Sequence, residues 1–262
     1  MNAADLWQMI LAAPADPDLK TQYAQALIQA GDWRADIFSL AAEYKRLRSG
    51  SYIDRAQALK PRLDGLISDW RADLSGLSDA WTGEIEFVVG WPIELKIKAA
   101  DFARHAGEIV ATLPVRHLNL DAVSDLPGVF ELPQLRQIAS LDGSEQMWSD
   151  DAIRALASSS ELHALRWLDL SHGGITETQV ETLAASPSLR NVGMLDLSDN
   201  PTRDPVDGSA GAGWDWMTGK IEFDSIALPQ FGVELEHRHG EIAWLHALRT
   251  FLEAYPPSRY TF

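Results

Sequence analysis

The sequence predicts an α/β chain in three parts. These are an N-terminal α-helical domain over residues 1–80, repeated units of a short parallel strand and a helix over 81–205, and a C-terminal capping segment over 206–262. Three observations predict this. Apolar residues in the first eighty positions recur at helical spacing. Downstream, Leu141, Leu168 and Leu195 stand 27 residues apart inside similar windows. The charge also divides between the parts: of a net −16, residues 1–80 carry −2, residues 81–160 carry −6 and residues 161–262 carry −8.

In the first part, Leu6, Trp7, Ile10 and Leu11 make one helical stripe, and Tyr23, Ala24, Leu27 and Ile28 make a second. Asp16-Pro17 is a helix start and Gly31-Asp32 a stop, because an aspartate caps free N–H groups and glycine accepts the left-handed closing turn. A third helix begins near Arg34 and runs through Phe38, Ala41, Tyr44 and Leu47 to Ser49-Gly50. Its basic end, Lys45, Arg46 and Arg48, suits the negative pole of the helix dipole. A fourth carries Ala58, Leu59, Leu63, Leu66, Ile67 and Trp70.

From Ile93 the pattern changes to an internal repeat. The windows Ser140-Leu141-Asp142-Gly143-Ser144, Trp167-Leu168-Asp169-Leu170-Ser171 and Met194-Leu195-Asp196-Leu197-Ser198 align, and Ile153 and Leu156 match Val180 and Leu183 at the same step. Leu95-Lys96-Ile97 and Leu118-Asn119-Leu120 are earlier units, offset by 23 residues. A period of about 20–29 residues around an L-x-L strand is the signature of a leucine-rich-repeat solenoid. Each strand buries alternate leucines and a helix returns the chain, and stacked neighbours cover what one unit leaves open. Helices are expected over 99–112, over 151–158 behind the caps Ser149 and Asp150, and over 177–185, where Thr176 and Gln179 have capping-box spacing. Pro127, Gly128 and Pro133 predict an irregular return in between. Beyond 205 come a glycine-rich loop over 207–213, a short strand Lys220-Ile221-Glu222-Phe223, and an amphipathic helix near Ile242 to Leu252.

The run Ile10-Leu11-Ala12, Asp16-Pro17, Tyr23-Ala24, Leu27, Gly31-Asp32, Arg34, Phe38 and Leu40 resembles the bacterial repeat-companion domain, a helical module that precedes leucine-rich repeats. Trp81 to Leu120, with Gly90, Phe102, His105, Ala106 and Leu113-Pro114, looks like that family's link into its first repeats. The resemblance covers roughly residues 5–200. The chain departs at Gln25-Ala26, where the family usually has Asp-Trp. It also departs in its repeat asparagine, kept only at Asn200, with Gly173 and Glu145-Gln146 at the other such positions. The resemblance implies a binding scaffold without known chemistry.

In such a solenoid the residue between the buried leucines points outward, and here that row reads Lys96, Asn119, Asp142, Asp169, Asp196. Strands about 4.7–4.9 Å apart would set the three carboxylates side by side, where like charges repel. One reading is a docking stripe for a basic protein partner, with His117, Trp167 and Met194 beside it as anchors. The other is a common repeat aspartate hydrogen-bonded to turns or water. Trp214 and Trp216 serve either as interface anchors or as residues tucked under the end of the array.

No cysteine is present, which removes disulfides, cysteine-zinc sites and thiol catalysis. A net −16 argues against nucleic-acid or anionic-membrane partners. Met1 to Ile10 lacks a basic leader and no stretch has eighteen consecutive apolar residues, so a cytoplasmic location is expected. There is no G-x-S-x-G elbow, no P-loop and no H-E-x-x-H, so neither cofactor nor metal is expected. The expectation is a non-catalytic protein-binding module, an immunity protein that neutralises a basic bacterial toxin of the nuclease kind through its acidic face. The alternatives are a regulatory or assembly adaptor, and a hydrolase or metal enzyme using His237, His239 or His246.

Overall fold

The computed structural model describes residues 1–48, 52–75, 81–123, 126–203, 212–215, 220–223, 230–246 and 250. It is an α/β chain with a six-stranded, mostly parallel sheet whose strands lie in chain order. The elements are α1 (Ala3–Ala12), α2 (Pro17–Ala30), α3 (Arg34–Arg48), α4 (Ile53–Ser75), β1 (Gly83–Val88), β2 (Trp91–Lys98), α5 (Ala99–Thr112) and β3 (His117–Asp121). They continue with β4 (Ser140–Asp142), α6 (Asp150–Ser158), β5 (Trp167–Asp169), α7 (Glu177–Ala184), β6 (Met194–Asp196), β7 (Ala212–Asp215), β8 (Lys220–Phe223) and α8 (Gln230–His239). Among the described residues no helix is long and apolar enough to cross a membrane.

The chain divides into two compact units, Met1–Lys96 with Gly107–Arg116, and Ile97–Ala106 with His117–Phe262. The domain boundary expected at 80/81 therefore falls inside the first unit, which includes β1 and most of β2. The expected cap, 206–262, belongs to the second.

The first unit is built on α1–α4. Asp16 Oδ1 accepts the N–H groups of Asp18 and Leu19 at 2.8 and 3.1 Å, which starts α2. Gly31 ends α2 at φ +66°, a left-handed turn that a Cβ would strain. Leu6, Ile10, Leu19, Tyr23, Leu27, Ala35, Trp91 and Ile93 form a buried cluster. Rings knit it to its surroundings: Phe38 lies 4.5 Å from Trp91 and 5.9 Å from Trp70, and Trp7 lies 5.4 Å from Tyr23, all centroid to centroid. β1, which the sequence pattern did not announce, joins β2 through Val89-Gly90, both at positive φ as a two-residue hairpin turn requires. The Arg71 Nε–H donates to the Ile85 carbonyl at 2.8 Å, so a side chain of α4 occupies a carbonyl of β1.

The second unit has translational order. β3 to β6 pair in parallel, with Leu118 opposite Leu141, Leu141 opposite Leu168 and Leu168 opposite Leu195. The spacing of these leucines in the sequence is thus their register in the sheet, and all four are buried. The ladder continues past the strand ends. The Gly143 N–H donates to Asp169 O and Leu170 N–H to Asp196 O at 2.9 Å; Glu145 N–H donates to Ser171 O and His172 N–H to Ser198 O at 3.0 Å. At the turn that follows each strand, Ala122, Glu145, His172 and Asp199 have φ of 57, 56, 52 and 56°. A non-glycine residue there costs about 1–2 kcal/mol, and at Glu145 and His172 the ladder bond from the residue's own N–H helps to hold it in place.

Two amides close these turns. Asn200 Oδ1 accepts the N–H groups of Gly173 and Ile175 at 2.9 Å, while its Nδ2 donates to Leu197 O at 2.8 Å and Leu170 O at 3.0 Å. Gln146 does the equivalent one methylene longer, donating to Leu120 O at 2.5 Å and accepting from Val123 N–H at 2.9 Å. The return segments differ in kind. Pro127–Glu131 and Pro133–Gln137 are single 3-10 segments, as fits a segment with Pro127, Gly128 and Pro133. α6 starts on the Ser149 hydroxyl, and α7 on a capping box between Thr176 and Gln179. Gln179 is also buried and donates to Trp148 O and Asp150 Oδ1, tying α7 to the preceding repeat. The predicted helix near 242–252 is described only in part, while α8 lies upstream of it.

Candidate functional site

The row between the buried leucines is the feature in which the second unit departs most from simple core packing. Because β3–β6 are parallel and in register, Asn119, Asp142, Asp169 and Asp196 are successive Cα partners. At the strand spacing of about 4.8 Å the carboxylates are mutual neighbours. Each is fixed in the same way. Oδ1 of Asp142, Asp169 and Asp196 accepts the backbone N–H of Ser144, Ser171 and Ser198 at 2.9 Å and the hydroxyl of the same serine at 2.7 Å. Two hydrogen bonds to one oxygen set the carboxylate plane. At the start of the row, Asn119 Nδ2–H donates to Oδ2 of Asp142 at 2.8 Å. Among the described residues no donor is bonded to Oδ2 of Asp169 or Asp196.

The central carboxylate is electrostatically the most loaded. Burial pushes the Asp169 pKa up; the Ser171 N–H and hydroxyl pull it back, and the charges of Asp196 and Asp142 on either side push it up again, leaving it above the ordinary aspartate value. A cation brought to this row would relieve that repulsion. An isolated proton would do so too, but only at acid pH.

The flanking positions behave unevenly. Trp167 is half-buried, whereas His117 and Met194 are only 4% and 5% exposed. The expectation that these last two stand ready as anchors is therefore corrected. Their place beside the row is right, but their side chains are already packed. Ser140, which fills the same position on β4, is buried as well. Lys96 is exposed on β2. The backbone of Trp214 lies in β7, opposite Ile221 of β8, and Trp216 lies outside the described residues.

The histidines do not converge. His239 and Arg238 both pair with Glu181 of α7, His246 Nδ1 lies 3.3 Å from Glu241, and His237 is exposed. Among the described residues no group of three or more His, Asp or Glu side chains is placed to hold a metal ion. The sequence reading that bonds these aspartates to turns or water did not single out the serines, although Asp-x-Ser recurs at 142, 169 and 196, a spacing that marks a side chain bonded to its own turn. Compared with protein-family models, curated proteins and solved structures, the chain finds no match.

Proposed function

We propose that this chain is a leucine-rich-repeat solenoid with a repeat-companion module, and that it binds a basic protein through the row Asp142, Asp169 and Asp196. The observation that carries the reading is the geometry of the row. Three carboxylates are held in register at one orientation, and two of them keep an oxygen with no hydrogen-bond donor among the described residues. Lysine and arginine side chains spaced along a partner strand or loop would satisfy those oxygens and lift the mutual repulsion in one step. Trp167, half-buried beside Asp169, supplies apolar contact area. The acidity of this half of the chain steers a basic partner over distance. A toxin of the nuclease kind, basic because it binds phosphates, fits that charge, and the role that follows is that of an immunity protein.

The test is a pair of measurements. A protein captured by this chain from its native cells should arrest growth when expressed alone, and growth should return when this chain is co-expressed. Replacing both Asp169 and Asp196 by lysine should then slow association at least about tenfold at low salt, with a smaller effect at high salt. Association that is indifferent to both substitutions, with the fold intact by circular dichroism, would remove the row from the interface.

A further inference from the structure

The first unit contains a cavity that the reading above does not use. It has a volume of about 310 Å³ and is lined by Ala3, Ala4 and Trp7 of α1, Tyr23 of α2, Arg34 of α3, and Trp70, Asp73 and Leu74 of α4. Small-molecule sites run from about 300 to 1,000 Å³, with apolar walls and a few convergent polar groups. This one is at the small end, which suits one compact molecule and excludes a peptide.

Its polar groups are specific. Arg34 is locked by Asp32: Nε–H donates to Oδ1 at 2.9 Å and Nη2–H to Oδ2 at 2.6 Å, and Oδ1 also accepts the Arg34 backbone N–H. That two-point pairing holds the Asp32 carboxyl below the usual aspartate range. It uses the Nε and Nη2 side of the guanidinium and fixes its plane, and Nη1 carries no hydrogen bond among the described residues. Asp73 is exposed, lines the same cavity and lies near enough for its charge to act on Arg34. The walls are aromatic, with Trp7 6.0 Å from Trp70 and 5.4 Å from Tyr23. The site thus offers one fixed cationic edge, one carboxylate and an apolar floor.

We infer that this cavity binds a free apolar α-amino acid, with its carboxylate on the Nη1 side of Arg34, its ammonium on Asp73 and its side chain against the partly exposed Trp7. Asp32 already balances the charge of Arg34, so a lone cation would use Asp73 alone and a lone anion the Nη1 edge alone. The zwitterion alone meets both charges with opposite charge.

Titrating the full chain with L-phenylalanine, read by tryptophan fluorescence and calorimetry, tests the assignment. Saturable binding is expected, with a Kd on the order of 0.1–1 mM. Phenethylamine, which lacks the carboxylate, and 3-phenylpropionate, which lacks the ammonium, should each bind about tenfold more weakly. Asp73→Asn should weaken L-phenylalanine about tenfold and leave 3-phenylpropionate unchanged. Ala4→Trp, at an exposed wall position, should abolish binding with the circular dichroism spectrum unaltered. Phenethylamine binding as tight as L-phenylalanine would overturn the zwitterion, and no saturation by about 10 mM would overturn the site. If Ala4→Trp unfolds, the Asp73→Asn comparison still decides. None of these outcomes bears on the aspartate row.

Discussion

Trp70 in the first unit meets three other rings, Trp7 at 6.0 Å, Phe38 at 5.9 Å and Phe87 at 5.3 Å. Asn200 in the second unit instead holds four backbone groups of residues 170, 173, 175 and 197 at 2.8–3.0 Å. The first unit is organised around large side chains whose positions follow no period. The second is organised by hydrogen bonds that recur with the repeat, around leucines that are nearly interchangeable. A stretch of chain can thus be ordered by shape or by step. An aperiodic aromatic core leaves irregular gaps, and the cavity beside Trp7 is one. A periodic array leaves regular rows, and the aspartates are one.

The sharpest way to break the contrast is to remove an anchor from each side. Trp70→Ala should cost about 3–5 kcal/mol, the range for deleting a large buried ring, and should bleach the near-ultraviolet circular dichroism of the ring cluster. Asn200→Ala removes no apolar volume, yet it leaves several turn groups without partners and should cost about 2–3 kcal/mol. Urea unfolding measures both. An Asn200→Ala loss well under 1 kcal/mol would mean that the ladder and the buried leucines suffice without the amide.

Asp169→Asn is smaller in size and opposite in sign. The amide oxygen can still accept from Ser171, but the charge squeezed between Asp142 and Asp196 is gone. A folded-state pKa above the unfolded value means that the native protein binds more protons between the two, so stability falls as pH rises through that window. The window starts near the ordinary value of 3.8 and extends upward. Asp169→Asn should therefore be more stable than the parent at pH 7, by about 0.2–1 kcal/mol for relief of a cross-strand like-charge contact, and the difference should shrink toward pH 4. A partner-binding role adds that the stabler variant binds more weakly. If Asp169→Asn loses stability at pH 7, the carboxylate is there for its turn. Lys60→Ala, which removes the exposed Lys60–Asp64 pair of α4, should leave the unfolding midpoint unmoved.

These differences in order also decide what the sequence discloses. Register in the second unit was legible because Leu118, Leu141, Leu168 and Leu195 repeat at set intervals and a parallel sheet must bury them alike. The caps at Asp16, Ser149 and Thr176 were legible because capping is local chemistry. The hairpin of β1 and β2 was not, since Glu84 and Glu86 alternate with apolar residues over too short a run to outweigh the helical stretch before it. Nor was the packing of His117 and Met194, which depends on what approaches from outside the strand. The cavity was equally hidden, because Trp7, Tyr23, Arg34 and Asp73 come from four helices and share no spacing.

The four left-handed residues that follow the strands have a consequence for how such a chain can change. Ala122, Glu145, His172 and Asp199 share a left-handed φ and range from a methyl to an imidazole and two carboxylates, so the turn is specified by its neighbours and not by its own residue. Any segment cut between two such turns begins and ends in the same geometry. Duplicating residues 174–200 in tandem would copy Asn200 with its turn, so that the bonds it makes to residues 170, 173 and 175 keep their partner at the first seam. The array can be lengthened by one rung through a single copying event, and each rung added in this way carries one more copy of Asp196 into the row.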